Sequence, residues 1–492
     1  MKKIISILFA VVLFSAPAHA QNLEDLGNAL GSLLGNMLLN SITNKVEQKA
    51  SEIGNNTIVQ TLAAQADSTG TGLDAEGLGG LGRALSGLSA LVENGKTDLT
   101  EEQFSLLDRC KINNFVVYSD IDEMSVIQGK IDGLKNNRSS LTLTILPTIS
   151  CNFCCTYCFE GLDKKSKPMD TATQDSIMRW LGDNLNGIQR LNVTWFGGEP
   201  TLGMGVIVDL SARIMELCRE RNVYYSAGIV TNGSNLNPEV MRTLADVRVN
   251  YIQLTFDGPK RIHDSVRYFR GTHKGSFDTI IDNLIEYQKT TPIQTSLRIN
   301  LDQENVEYAY ELLDELAERL EGVPNTSVYF APIHASTKMC AHISELTMEA
   351  IEFARKETEL MEYAYDLGLC GISLPPMALG ICSASKINGL VIGPEGDVYK
   401  CWEVVTMNQY KIGNINDKDF DLEEAGKSWT SWSPMKEEAC QNCNILPNCM
   451  GMCTYRFLHK ENYSGQSAMT PCPSLKFDFE NRLRQYLNKL NS

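Results

Sequence analysis

The sequence predicts an α/β fold: a partial (β/α)6 barrel followed by a cysteine-rich C-terminal region. Six short runs rich in β-branched and aromatic residues alternate with helix-length amphipathic segments between residues 141 and 332. Alternation of this kind builds a parallel sheet, and right-handed crossovers curl it into a barrel or part of one. Eight of the 15 cysteines gather in two knots, Cys151 to Cys158 and Cys440 to Cys453, the second lying beyond the last strand. A chain of 492 residues has room for two or three domains and a sizeable buried core.

At the N-terminus, Lys2 and Lys3 precede the apolar run Ile4 to Phe14, and Ala18-His19-Ala20 follows. Residues 1–20 therefore read as a signal-like segment, with cleavage expected before Gln21. The run is too short for a comfortable membrane span, and no other stretch reaches that length. Residues 21–98 form a Gly/Leu-rich flexible extension, as in Gly77-Leu78-Gly79-Gly80-Leu81-Gly82, to which no chemistry is assigned. A folded core begins at residue 99, and Thr100–Asp108 opens like a capping box and suits a short helix.

Strands are expected at Leu141–Thr148, Leu191–Phe196, Tyr224–Thr231, Tyr251–Phe256, Gln294–Asn300 and Ser327–Pro332. Helices are expected at about 171–186, 204–221, 236–246, 275–290 and 304–320. This core runs over 99–335. A linking segment, 336–368, carries a helix near 347–367, and the cysteine-rich region, 369–492, closes with a helix at 477–490. Acidic residues outnumber basic ones 60 to 44, for a net charge of −16, and no long basic run breaks that balance. Nucleic acid is thereby excluded as the main partner, because phosphate binding needs a concentrated basic surface.

The segment Cys151-Asn152-Phe153-Cys154-Cys155-Thr156-Tyr157-Cys158 directly follows the first strand, at the strand end where parallel barrels carry their chemistry. Cys151-x3-Cys155-x2-Cys158 can hold three irons of a four-iron cluster and leave the fourth open to a substrate ligand. Two CxxC pairs binding zinc are the rival reading, although adjacent Cys154 and Cys155 would strain a four-thiolate tetrahedron. Disulfides are the second rival, one a chain of this size does not need.

This spacing, with Tyr157 and Phe159 flanking the third cysteine, resembles the radical SAM superfamily, whose members bind S-adenosyl-L-methionine (SAM) on a partial TIM-like barrel. Further motifs sit at later strand ends. Gly197-Gly198-Glu199-Pro200 resembles the family's GGE motif, which implies close backbone approach to the methionine amino group and a carboxylate to accept from it; a simple tight turn is the alternative. The resemblance also implies SAM contacts from Tyr157, Thr231, Asn232, Thr255, Arg298 and Ile333, with Arg298 suited to the SAM carboxylate. For Thr255 and Ile333, plain strand-end packing is an equal alternative. His263-Asp264-x2-Arg267 through Gly275-Ser276-Phe277 matches a stretch common in peptide-modifying members.

In the C-terminal region, Cys382 is followed after thirteen residues by Gly396-x4-Cys401, then by Cys440-x2-Cys443-x5-Cys449-x3-Cys453 and by Cys472. The pattern resembles the seven-cysteine SPASM domain and implies two auxiliary four-iron clusters. Cys382, Cys401 and Cys453 belong by analogy to the first, and Cys440, Cys443, Cys449 and Cys472 to the second. Cys370 is a candidate eighth ligand; otherwise the first auxiliary cluster keeps an open iron. Gly396-Asp397 reads as a hairpin turn positioning Cys401. Cys110, Cys218 and Cys340 read as structural thiols.

The resemblance implies a radical SAM/SPASM maturase with three [4Fe-4S] clusters. It would generate a 5′-deoxyadenosyl radical and oxidatively modify a ribosomal peptide or protein, forming a thioether or carbon–carbon crosslink. A flavodoxin- or ferredoxin-type electron donor is its implied partner. The alternative is an anaerobic sulfatase-maturating enzyme forming formylglycine. Those enzymes carry a basic Asp directly after the cysteine matching Cys401, where this chain has Trp402 and then Glu403, which leaves Glu403 as the candidate base. A secreted zinc- or disulfide-containing binding protein is the non-enzymatic alternative. Reduced clusters and SAM place the catalytic core in the cytoplasm, in conflict with the signal-like segment.

Overall fold

A computed structural model describes residues 122–161, 166–373, 380–465 and 471–490. The signal-like segment, the Gly/Leu-rich extension, the Thr100–Asp108 helix and Cys110 lie outside the described residues. Helix α1 (Glu123–Lys135) precedes six strands: β1 (Ser140–Ile145), β2 (Arg190–Trp195), β3 (Tyr224–Val230), β4 (Val249–Phe256), β5 (Gln294–Leu301) and β6 (Thr326–Pro332). They pair in parallel in the order β6-β5-β4-β3-β2-β1, as a partial barrel. Between them run α2 (Thr171–Asn184), α3 (Met204–Arg221), α4 (Pro238–Asp246), α5 (Lys260–Val266), α6 (Phe277–Thr290) and α7 (Ala309–Arg319).

Local chemistry sets these boundaries. The Asp170 carboxylate accepts from the Thr173 amide at 2.8 Å and starts α2, and Asn237 caps α4 ahead of Pro238. β1 stops at Ile145, short of the expected Thr148, because Pro147 has no N–H to continue the ladder; its last bond is Leu146 N–H to the Ile392 carbonyl at 2.9 Å. The helix expected at 304–320 begins with a tight turn, Val306–Tyr308. There the Asn305 side chain donates to the carbonyls of Asp257 (3.0 Å) and Asn300 (2.9 Å), tying the β4 and β5 ends together. Leu143, Ile145, Trp195, Ile229, Leu254 and Leu297 fill one continuous core with Ile177, Leu210, Leu284 and Leu313 of the helices.

The cysteine-rich region is joined to the barrel rather than set apart from it. Strand β7 (Gly389–Ile392) pairs in parallel with β1 on the side away from β2. β8 (Asp397–Tyr399) and β9 (Gly413–Asn414) add in antiparallel, giving one nine-stranded sheet among the described residues. The expected hairpin turn lies between β7 and β8, where Gly396 at φ 84° donates to the Gly393 carbonyl at 3.0 Å. Helix α1 packs Ile127 and Ile131 against Cys440, Leu446 and Met450. Helix α8 (Ala350–Asp366) packs on β6 and on the C-terminal helix Leu475–Leu490, whose Gln485 donates to the Thr358 carbonyl at 2.7 Å. No helix among the described residues is long and apolar enough to cross a membrane.

Candidate active site

The loop after β1 is held from outside by the hairpin 267–275. Cys154 N–H donates to the Tyr268 carbonyl (3.0 Å), Thr156 N–H to that of Val266 (3.2 Å), and Arg270 N–H to that of Asn152 (2.7 Å). The Arg270 guanidinium donates to the carbonyls of Cys151 (3.3 Å) and Phe153 (3.4 Å), and the buried Phe153 ring meets Phe269 edge-on at 4.9 Å. Within the loop, Cys158 N–H returns to the Cys155 carbonyl at 3.2 Å, a tight turn that brings both thiols to one side. Cys151, Cys155 and Cys158 line a cavity of about 260 Å³; Cys154 does not.

Each strand end from β2 to β6 contributes to that cavity, through Gly197 and Gly198, Thr231 and Asn232, Thr255, Arg298, and Ile333. Tyr157 lines it as well, so of the expected SAM contacts only Glu199 does not reach its wall. Both glycines are required by close approach. A Cβ on Gly198 would lie 2.3 Å from the Ile149 carbonyl oxygen and 2.4 Å from that of Ser150. Gly197, at φ 118°, would clash with the Thr148 carbonyl at 2.3 Å.

Glu199 acts as a staple between strand ends. Its fully buried carboxylate accepts from Thr201 N–H (3.0 Å), Thr201 Oγ1 (2.6 Å), Thr231 Oγ1 (2.7 Å) and Asn232 N–H (2.7 Å). Burial raises its pKa against the pull of these donors. Thr231 and Asn232, expected as SAM contacts, are fixed by this staple. Asn232 also donates to the Asn152 side chain at 2.7 Å and so reaches the cysteine loop.

A buried ion pair sits behind the loop. Arg267 Nε lies 3.5 Å from Asp257 Oδ2, with side chains 10% and 1% exposed. Tyr157 bridges the pair: its hydroxyl donates to Asp257 Oδ1 (2.7 Å) and accepts from Arg267 Nη1 (2.8 Å) and from Asn300 Nδ2 (3.1 Å). The stretch 263–277 is the scaffold of this pair. Asp264 Oδ1 accepts from the amides of Ser276 (2.8 Å) and Phe277 (2.9 Å), capping α6. Ser276 donates to the Arg267 carbonyl (2.8 Å) and meets His263 Nε2 at 3.0 Å. Burial, then the Arg267 charge, push the His263 ring well below the usual histidine range, so it is neutral.

Glu403 enters the same cavity from the cysteine-rich region. It accepts from Ser336 Oγ at 2.6 Å. Burial raises its pKa and nearby Glu160 adds to the rise, while Ser336, Arg298 and Arg456 oppose it. Trp402 stacks on Phe196 with ring centroids 5.7 Å apart, and both line the cavity. Glu160, His334 and Ser336 also line it, and no spacing in the sequence marks them. Arg298 is oriented by its own strand, donating from Nε to Asn300 Oδ1 at 2.7 Å.

Residues 145–316 match the Radical SAM superfamily. The chain therefore carries a radical SAM domain. It is 26% identical over 384 residues to the cysteine-type anaerobic sulfatase-maturating enzyme of Clostridium novyi, covering 70% of this chain and 96% of that one. It is 24% identical over 332 residues to the mycofactocin maturase MftC of Mycolicibacterium smegmatis, covering 64% and 78%. The solved structure of native anSMEcpe with bound AdoMet shares the fold at TM-score 0.55 and 19% identity, over 72% of this chain and 100% of that one. Radical SAM membership implies SAM and one [4Fe-4S] cluster, and these relatives are of the maturase type.

Beyond the radical SAM domain, two further thiol groups assemble. Cys382, Cys401 and Cys453 pack together beside Tyr399 and Tyr455. Burial raises Cys401 far above the ordinary thiol range, with Cys382, Glu403 and Cys453 adding to the rise. Cys440, Cys443, Cys449 and Cys472 line a small cavity of about 20 Å³, and burial followed by the other three thiolates pushes Cys440 up to about 12. Lys476 Nζ donates to Cys472 Sγ at 3.4 Å.

Cys370 is not brought to either group. It packs on the barrel core, its thiol 3.6 Å from the Met361 carbonyl, and burial alone raises it to about 11. Cys218 and Cys340 are buried structural thiols.

The donor sets fit the implied groups. Every cysteine among the described residues is a free thiol, and the two later groups crowd thiolates that repel one another unless a cation compensates them. Among the described residues no three His, Cys, Asp or Glu converge on a point that could hold one metal ion. An iron–sulfur cube takes one thiolate at each corner, and groups of three or four thiols can supply them.

Proposed function

We propose that this chain is a radical SAM/SPASM maturase that oxidatively modifies a ribosomal peptide or protein, with a thioether or carbon–carbon crosslink as product. Residues 99–335 form its core and lead-in, 336–368 the linking segment, and 369–492 the auxiliary-cluster domain. Cys151, Cys155 and Cys158 hold the SAM-binding cluster. Cys382, Cys401 and Cys453 hold one auxiliary cluster, and Cys440, Cys443, Cys449 and Cys472 the other. One observation carries the reading: the three loop thiols, the strand-end residues and Glu403 share a single cavity.

When bound, SAM and its cluster supply a one-electron cleavage and a 5′-deoxyadenosyl radical able to take hydrogen from carbon. The chain supplies the geometry. Gly197 and Gly198 let the β2 end lie against the cysteine loop, and Glu199 fixes Thr231 and Asn232 beside it. Arg298, held by Asn300, offers its guanidinium where a carboxylate fits. Trp402, stacked on Phe196, forms one wall of the cavity. Glu403, its pKa raised by burial, takes up the proton that a substrate heteroatom loses as its carbon is oxidised.

The test is Glu403→Gln in anaerobically reconstituted protein, supplied with SAM, dithionite and the peptide encoded beside the gene. The wild type gives a peptide lighter by two hydrogens. Glu403→Gln still releases 5′-deoxyadenosine and leaves the peptide unmodified. Full product formation by the variant would refute the role of Glu403. Formylglycine formation is the second reading, favoured by the sulfatase-maturating relative and by a carboxylate one position beyond its expected place. A sulfatase peptide in the same assay separates the two, since a modified cysteine exchanges sulfur for oxygen as it loses two hydrogens.

A further inference from the structure

The hairpin 267–275 holds the cysteine loop from outside and presents its tip, residues 271–274, to solvent. Asn152, Phe269, Arg270, Thr272, Lys274 and Thr279 line a shallow open depression over it. Its charged lining residues are Arg270 and Lys274, with no acidic residue among them, and exposed His273 lies beside Lys274, within a protein of net charge −16. Gly271, Thr272, His273 and Lys274 are exposed. Asp278, the next acidic residue, is engaged by Lys260 and Arg319. The floor is Phe269 with threonine methyls, and the rim is cationic.

We propose that this depression is the docking surface for an acidic flavodoxin-class electron donor. The inference rests on the reading of Cys151, Cys155 and Cys158 as cluster ligands. A donor's flavin edge, apolar and ringed by carboxylates, complements an apolar floor with a basic rim. Docked there, it meets the loop directly at Asn152 and lies over the hairpin whose Arg270 bonds the Cys151 carbonyl. One electron leaves the reduced flavin and one enters the cluster; no atom is transferred. The remainder of the chain, being acidic, repels such a donor and directs it to this face.

The experiment measures reductive SAM cleavage to 5′-deoxyadenosine in full-length reconstituted protein, with reduced flavodoxin or with dithionite. Lys274→Glu should slow the flavodoxin-driven rate about tenfold at low salt, Lys274→Gln should slow it less, and added salt should narrow the gap. Both variants should match the wild type with dithionite. An unchanged flavodoxin-driven rate in Lys274→Glu overturns the docking surface. Equal losses with both reductants also overturn it, by making Lys274 structural. Failure of the wild type with dithionite refutes the cluster reading, and the docking surface falls with it.

Discussion

Replacing Gly198 with alanine tests the packing that places the cysteine loop. The added Cβ would meet the Ile149 and Ser150 carbonyl oxygens at 2.3 and 2.4 Å. Ordinary carbon contact begins near 3.5 Å, so the shortfall is roughly 1 Å. Both obstacles are backbone, which no rotamer change relieves. The loop carrying Cys151 must therefore move by about that amount or the end of β2 must bend. Overpacking of this kind costs about 1–3 kcal/mol, which a folded chain of this size survives. A misplacement of about 1 Å at reacting groups costs on the order of a hundredfold in rate. Gly198→Ala should thus keep its thermal transition within a few degrees, bind iron, and cleave SAM about a hundredfold more slowly with dithionite. Cleavage at the wild-type rate would refute the argument that glycine is needed there for close approach.

Arg267→Met strands the Asp257 carboxylate and should lower stability by about 3–5 kcal/mol in urea unfolding, most of it recovered in Arg267→Met/Asp257→Asn; a single-variant loss below about 1 kcal/mol would contradict a paired role. Burial holds His334 neutral, its pKa lowered to about 3. The unfolded chain takes up that proton near pH 6.5 and the folded chain does not, so the stabilisation is present above about 6.5 and is lost as pH falls toward 3. His334→Gln should flatten the acid limb by about 1.4 kcal/mol per pH unit; an unaltered slope counts against it. Lys476→Met removes the cation on Cys472 and should lower the midpoint potential of the auxiliary cluster proposed there, read in an EPR-monitored titration, while Lys476→Arg stays close to wild type; equal potentials in all three would refute the contact.

Features confined to short sequence stretches were legible before any coordinates. The six strands fall within two residues of their expected starts, and Cys151, Cys155 and Cys158, close together in sequence, line one cavity. Contacts between distant segments were not. Tyr157 meets Asp257 across 100 positions and Asn300 across 143, so no local pattern announces the network. Glu199, expected on SAM, accepts two local bonds from Thr201 and two more from Thr231 and Asn232, which reach it only because β2 and β3 lie side by side. Cys370 shows the opposite failure: it was a ligand candidate for want of an eighth cysteine, and packing against the barrel decides its place.

Iron content and SAM cleavage, measured together on anaerobically reconstituted full-length protein, bear most directly on the central claim. The account predicts about twelve irons per chain and dithionite-dependent release of 5′-deoxyadenosine, with Cys151→Ala abolishing the release while keeping about eight irons. Iron-free protein that retains its fold, or cleavage that persists in Cys151→Ala, would contradict it.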